Sequence, residues 1–535
     1  MKRLALVVGF CALTAMAGEY QSLQRIWATE TAKIEAAMER YPRAFQDGFI
    51  IAAFPETIKV GPEAVRKFEN QQRFAEHFQQ RGVPVQICIS STLGHHDGWT
   101  VPGDYPKMVG SDGTVTKAMA CPRAPAFIAN ICARASRHAA LHPKVIWLDD
   151  DFRIPSHQPA DIACFCPDCV QTFNTTYGFT FDRAALVKAI CFDAIVNGVN
   201  VRDVWSAYAA KALTDLAAAI AKAVHEVDDS VAIGFMVCNL SMLRYGGPDF
   251  KRWIEVSRNR DGAVYFRPGS GCYTDETPYS PDGVVAKNIQ IGRLCAATEG
   301  PGVVNLTEEV TCPYTRRAKS MRMTYLECAL NLAFAGADGT TFDAIKPNLD
   351  EQLSPGAIVD MLNSRRGDFE WIHRRLRGLR QIGVAVPETK PLRGPVASIG
   401  ELCNVDESAV LAQAFNGVPL TFRPENACCS FKDLNRADLP ARVDAAVRMG
   451  LSLWESPKTG ERLGFVWNFG YDDVSDARLV LAGDAAVSVL ALTGDDCESL
   501  GTGRAFTLPS IPAWSFRVVL IKPLAPASSA SGNAS

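Results

Sequence analysis

Short apolar runs alternate with longer segments of helical periodicity along most of the chain. The runs at 48–53, 83–90, 115–121, 145–148, 231–237, 263–266, 302–306 and 336–342 read as strands. Between several of them, 62–80, 126–141, 204–227 and 318–335 carry apolar positions at helical spacing. Eight strands alternating with helices form the pattern of an α/β fold of the (β/α)8 (TIM) barrel type, with its chemistry at the C-terminal ends of the strands. Residues 19–41, ahead of the first of these runs, are polar and read as helical.

Past residue 379 the pattern changes. Residues 18–380 are read as the barrel, 381–450 as a reduced connecting α/β segment bounded by prolines, and 451–524 as a small antiparallel β-sandwich. The tail, 525–535, is rich in Ala, Ser, Gly and Asn and reads as disordered. At the other end, Lys2 and Arg3 precede an apolar run that closes on Ala15-Met16-Ala17, the form of a signal peptide (1–17) cut after Ala17. The expected location is therefore secreted or periplasmic. A formal net charge of −3 supplies no basic field for nucleic acid, and no interior apolar run is long enough to span a bilayer.

Candidate chemistry concentrates after the run at 145–148. Three carboxylates follow it, Asp149, Asp150 and Asp151, and then Cys164, Cys166 and Cys169 in C-x-C-x2-C spacing. With Cys121 from the preceding loop, these thiolates make a four-cysteine set for one structural Zn2+, the alternatives being disulfides or free thiols. Cys88, Cys132, Cys238 and Cys328 stand alone in apolar segments and read as buried thiols. Glu308 and Glu309 end the seventh run, across a closed barrel from the fourth. Two carboxylates facing each other over a cleft are the equipment of glycoside hydrolysis. His95 and Trp99 in the loop at 94–99, Arg267 after the sixth run and Tyr273 in the glycine-rich loop behind it are candidate sugar contacts, each with rim packing as its alternative.

The order of Cys121-Pro122-Arg123-Ala124-Pro125, Trp147-Leu148-Asp149-Asp150-Asp151-Phe152, Cys164-Phe165-Cys166-Pro167-Asp168-Cys169, Thr307-Glu308-Glu309 and Gly336-Ala337-Asp338 resembles glycoside hydrolase family 42. The resemblance implies a retaining β-galactosidase-like enzyme with a (β/α)8 barrel, a four-cysteine zinc site, a middle trimerisation domain and a C-terminal β domain. Carried over by position, it makes Glu308 the nucleophile, Asp151 the general acid/base, Asp150 a ligand of the sugar 2-hydroxyl, and Cys121, Cys164, Cys166 and Cys169 the zinc ligands. Asp150 stands where the family has Asn, and Asp151 stands where it has Glu, one methylene shorter. A shorter acid needs a closer leaving group, or a wider inverting geometry with a water between.

The resulting expectation is an exported glycoside hydrolase acting on a β-linked glycan or oligosaccharide, with a homo-oligomer as a possible assembly and no organic cofactor. Two other classes are a non-catalytic carbohydrate-binding relative and a barrel enzyme using Asp149–Asp151 with a divalent cation. Glu309 has Arg316 or Arg317 as expected ion-pair partners, and one of the three aspartates is expected to bond backbone or Arg153.

Overall fold

The computed structural model describes residues 19–27, 31–52, 62–95, 104–149, 151–238, 245, 247–269, 282–310, 319–343, 353–494 and 496–524. The expected signal peptide and the tail lie outside them. Among the described residues, no helix is long and apolar enough to cross a membrane.

Eight parallel strands close into a barrel: β1 (Gln21–Trp27), β2 (Phe49–Ala52), β3 (Val85–Ile89), β4 (Val145–Leu148), β5 (Ala232–Val237), β6 (Val264–Pro268), β7 (Val303–Val310) and β8 (Gly339–Asp343). β8 pairs back to β1, with Gln21 opposite Gly339, so the sheet has no edge. The count of eight is as expected, but one member is exchanged for another. Gln21–Trp27, read as part of a helical stretch, is the first strand. Its Gln21, Ser22 and Gln24 are buried, and neighbours on both sides override its polar composition. The run at 115–121 falls outside the barrel. Val115–Ala120 pairs only with Lys107–Val109 in a two-stranded hairpin, with Val115 and Lys117 facing solvent. The two differences offset each other, so Val145–Leu148 is the fourth barrel strand either way.

Successive residues on a strand point to opposite faces. The inward set includes Leu23, Ile50, Cys88, Val145, Trp147, Met236, Tyr265, Val304 and Leu306, which pack as one cluster filling the barrel. Trp147 is its largest member; its Nε1 donates to Gln86 Oε1 at 2.7 Å and its ring meets Tyr265 edge-on. Outward residues such as Ile146, Leu148, Phe235 and Phe266 join a second cluster with the helices Pro125–Ala139 and Val201–His225.

Beyond the barrel, nine strands form one mostly antiparallel sheet around its own core. Arg380–Ala385 pairs antiparallel with Met449–Glu455, so strands from 381–450 and from 451–524 share one sheet. A buried four-residue run, Gln381 to Val384, needs partners for its backbone groups, and the C-terminal strands supply them. This unit docks under the barrel: Trp454 Nε1 donates to Ala333 O at 2.8 Å and Gln381 Nε2 to Phe334 O at 2.7 Å.

Gly234 on β5 leaves the space that the Trp147 ring occupies, for a Cβ there would lie 2.5 Å from Trp147 Cε3. Gly234→Ala is therefore expected to lose about 1–3 kcal/mol of stability by overpacking, measured by urea unfolding. A loss under about 0.5 kcal/mol would show that the barrel interior accommodates the methyl.

Candidate active site

Continuing the inward alternation one step past the packed interior places a ring of polar side chains at the C-terminal mouth. Arg25 follows Leu23 on β1, Ser90 follows Cys88, Asp149 follows Trp147, Arg267 follows Tyr265, Glu308 follows Leu306, and Thr341 follows Gly339. Hydrogen bonds connect this ring. Arg267 Nη2 donates to Glu308 Oε1 at 2.6 Å, its Nε to Thr341 Oγ1 at 2.8 Å, and its Nη1 lies 3.5 Å from Met236 Sδ. On the other side, Arg25 Nη2 donates to Ser90 Oγ at 3.2 Å and lies 3.5 Å from Asp149 Oδ2, which also meets His95 Nε2 at 3.3 Å.

Two arginines thus stand among two inward carboxylates, and all four side chains are largely buried. Burial by itself would raise the Asp149 carboxyl. Arg25, His95 and Arg267 together hold it well below the usual carboxylate range. Gly269, just past β6, has its backbone against the Glu308 carboxylate; a Cβ there would overlap Oε2. Any other residue at 269 would take the space in which Glu308 lies.

Asp151 differs from its neighbour. It is fully buried, and the Gly94 N–H donates to its Oδ2 at 2.6 Å, which fulfils the expectation that one aspartate bonds backbone. Its Oδ1 has no hydrogen-bond partner among the described residues. Burial pushes this carboxyl above its ordinary value, with Asp149 adding to the rise and His95 opposing it. Of the two, Asp149 is therefore held ionised and Asp151 is biased toward its protonated form. The inward-facing carboxylate on β4's end is Asp149, whereas Asp151 lies beneath the turn at 91–95.

Other expected site residues fall as follows. His95 is in the site, on Asp149. Arg267, expected as a sugar contact, is committed to Glu308, Thr341 and Met236 at the floor of the mouth. Asp150, Trp99 and Tyr273 lie outside the described residues, as do Arg316 and Arg317. Glu309 points away from the mouth and meets Lys319 Nζ at 2.7 Å, because alternation turns it into the helix layer when Glu308 turns inward. Arg25 went unread in the sequence because its strand did; the x-Leu-x-Arg-x alternation of β1 is the signal that identifies it.

Among the described residues, the group of metal-binding side chains that converges is Cys121, Cys164, Cys166 and Cys169, all buried, with ligand atoms within 4.8 Å of one another. Sγ of Cys121 lies 3.6 Å from that of Cys169 and 3.8 Å from that of Cys166. Four sulfurs at about 2.3 Å from a central ion in a tetrahedron stand about 3.8 Å apart, so the set fits one tetrahedral metal ion. Cys121 ends the hairpin after β3, and the others follow β4, so adjacent loops meet here.

The closed parallel barrel followed by a separate antiparallel sheet unit is an architecture shared with several solved β-galactosidases. The chain superposes on a β-galactosidase from Bacillus circulans sp. alkalophilus with a TM-score of 0.57 at 10% identity, covering 94% of this chain and 99% of that one. A catalytic mutant of a GH42 β-galactosidase from G. stearothermophilus gives 0.59 at 9% identity over 93% and 98% of the two chains. The cold-adapted β-galactosidase from Rahnella sp. R3 gives 0.55 at 10% identity over 96% and 99%. At these identities the likeness is one of fold. No protein-family model matches the chain, and no curated protein matches it in sequence.

The bias of Asp151 toward its protonated form has a measurable consequence. An acid whose folded-state value is raised loses folding stability as pH rises from its unfolded value, near 4, toward the folded one, since only the unfolded chain releases the proton freely. Asp151→Asn should match wild type in stability near pH 4 and gain on it as pH rises, in paired thermal melts. A gap that stays constant, or narrows, with rising pH would show an Asp151 that ionises normally.

Proposed function

We propose that this protein is an exported glycoside hydrolase that cleaves a β-linked glycan by double displacement. The observation that carries the reading is the inward placement of Glu308 on β7 and Asp149 at the end of β4, in one mouth with Arg25 and Arg267 between them. Glu308, its side chain turned into the mouth, attacks the anomeric carbon. Arg267 aims its carboxylate through the 2.6 Å contact, and Gly269 leaves the space for it. Asp151, carrying the proton, delivers it to the leaving oxygen once sugar displaces the turn at 91–95, then activates water. Asp149 stays ionised and faces the positive charge that develops on the sugar ring. The four cysteines hold Zn2+, which staples the loops after β3 and β4 and takes no part in the reaction.

The full burial of Asp151 favours a second reading, in which the mouth binds sugar without turnover. One set of variants separates the two. On any aryl β-glycoside that the wild type hydrolyses, Glu308→Gln should lower kcat by at least about 10³-fold, as loss of a covalent nucleophile does. Azide should restore turnover of Asp151→Asn and give a β-glycosyl azide, the product of attack on a trapped glycosyl-enzyme. Rescue of Asp149→Asn in place of Asp151→Asn would transfer the acid/base role to Asp149. Sugar binding with no hydrolysis across the panel would leave the binding reading standing.

For the metal, one zinc per chain is expected by elemental analysis of protein purified under reducing conditions. Cys166→Ser should abolish it and lower Tm by roughly 5 °C or more. Zinc-free protein with an unchanged Tm would refute the staple.

A further inference from the structure

Beside the proposed nucleophile lies a second set of charges that the reaction does not touch. Glu309, Lys287, Lys319 and Glu327 are all buried, with side chains at most 1% exposed. Lys287 Nζ meets Glu327 Oε1 at 2.7 Å and lies 4.0 Å from Glu309 Oε1; Lys319 Nζ bridges Glu309 Oε2, at 2.7 Å, and Glu327. Asn331 Nδ2 donates to Glu309 Oε1 at 3.0 Å. Two lysines and two glutamates balance the set in formal charge, and it is contributed by three elements: β7, the helix Asp282–Ala297 that follows β6, and the helix Met321–Ala333 that follows β7 together with Lys319 ahead of it. Glu327 and Asn331, one helical turn apart, face the strand together.

Stability alone is a poor account of this cluster, because a neutral set of buried ions is commonly replaced by apolar side chains of equal volume without loss. Its geometry converges on one peptide. The β6–β7 pairing stops at Asn305, three residues short of Glu308. Beyond that point Lys287 Nζ donates to the Glu308 carbonyl at 2.8 Å, tying the strand end to the helix after β6. Glu309, the next residue, is anchored on the outward side by Lys319 and Asn331. On its other side β7 stays paired with β8 as far as Val310, opposite Asp343, so the quartet holds the side of the 308–309 peptide that β6 leaves open, with the Glu308 side chain in the slot between Arg267 and Gly269.

We propose that Lys287, Glu309, Lys319 and Glu327 are positioning residues for Glu308, a buried neutral quartet that fixes the peptide carrying the nucleophile. The inference rests on the reading of Glu308 as nucleophile for its effect on rate, and on geometry alone for its effect on position. A reacting carboxylate misplaced by about 1 Å costs on the order of 10²-fold in rate, which sets the scale of what the quartet controls.

The test is the double variant Lys287→Met/Glu327→Gln. It removes one cation and one anion together, so the remaining Lys319–Glu309 pair stays neutral and the fold is kept, while the donor to the Glu308 carbonyl is gone. Expected are a Tm near wild type, a kcat lower by about 10- to 100-fold with KM changed little on an aryl β-glycoside that wild type hydrolyses, and a crystal structure in which the 2.6 Å contact of Glu308 with Arg267 is lost. A folded double variant with Glu308 unmoved and kcat within about threefold of wild type would overturn the proposal. Should that variant not fold, Asn331→Leu removes one donor from Glu309 at constant charge, and the same displacement with a kcat loss of about 3- to 10-fold is expected; an unmoved Glu308 there overturns the proposal equally. Wild-type protein that hydrolyses no aryl β-glycoside defeats the nucleophile assignment by itself, and the position of Glu308 in the variants then decides the positioning claim.

Discussion

The site depends on the two-residue alternation of a closed parallel sheet. Because every barrel strand is paired on both sides, none can slip by one residue without turning its whole inward set outward. On β7 this one constraint separates adjacent glutamates into two environments: Glu308 enters the mouth beside Arg267, and Glu309 enters the helix layer beside Lys319. On β4 it carries Asp149 inward directly above Trp147. The apolar interior beneath is the floor that gives these charges a low-dielectric base, where arginine–carboxylate contacts are stronger than in water.

Electrostatics then divides labour among the carboxyls. Burial works against ionisation at both Asp149 and Asp151, and the outcome differs because Arg25 and Arg267 pull Asp149 down, whereas the Asp149 charge itself adds to the rise at Asp151. Arg25 comes from β1 and Arg267 from β6, so closure of the barrel is itself what brings two cations to one carboxylate. The Glu309 carboxyl shows the same competition with a different balance. Burial and Glu327 push it up to about 7 against the pull of Lys287 and Lys319.

Much of this was legible in the sequence, and the failures have physical causes. Val145–Leu148 and the carboxylates after it were readable because a fully buried parallel strand is a continuous apolar run. The cysteine set was readable because the C-x-C-x2-C spacing constrains geometry locally. β1 was not, since its buried Gln21, Ser22 and Gln24 depend on partners more than 300 residues away in sequence for Gly339 and its neighbours. Conversely, Val115–Ala120 has the composition of a barrel strand, and only its pairing excludes it. Which of Asp149 and Asp151 faces the mouth follows from where the strand ends, a boundary that composition leaves open. The slot at Gly269 and the quartet behind Glu308 come from contacts between distant segments, which no local pattern encodes.

The cysteine cluster and the buried quartet solve one problem at two places on the rim. Strand ends at a barrel mouth lose ladder partners just where reacting groups must be held most firmly. After β4, the chain leaves the sheet at Asp149, and the four sulfurs gather the loops that follow β3 and β4. After β6, the ladder to β7 stops at Asn305, and Lys287 takes the carbonyl of Glu308 in place of a strand. Both devices lie outside the mouth and leave the inward faces of β4 and β7 unobstructed. A site built this way can change the residues that line the mouth while keeping the backbone that presents them.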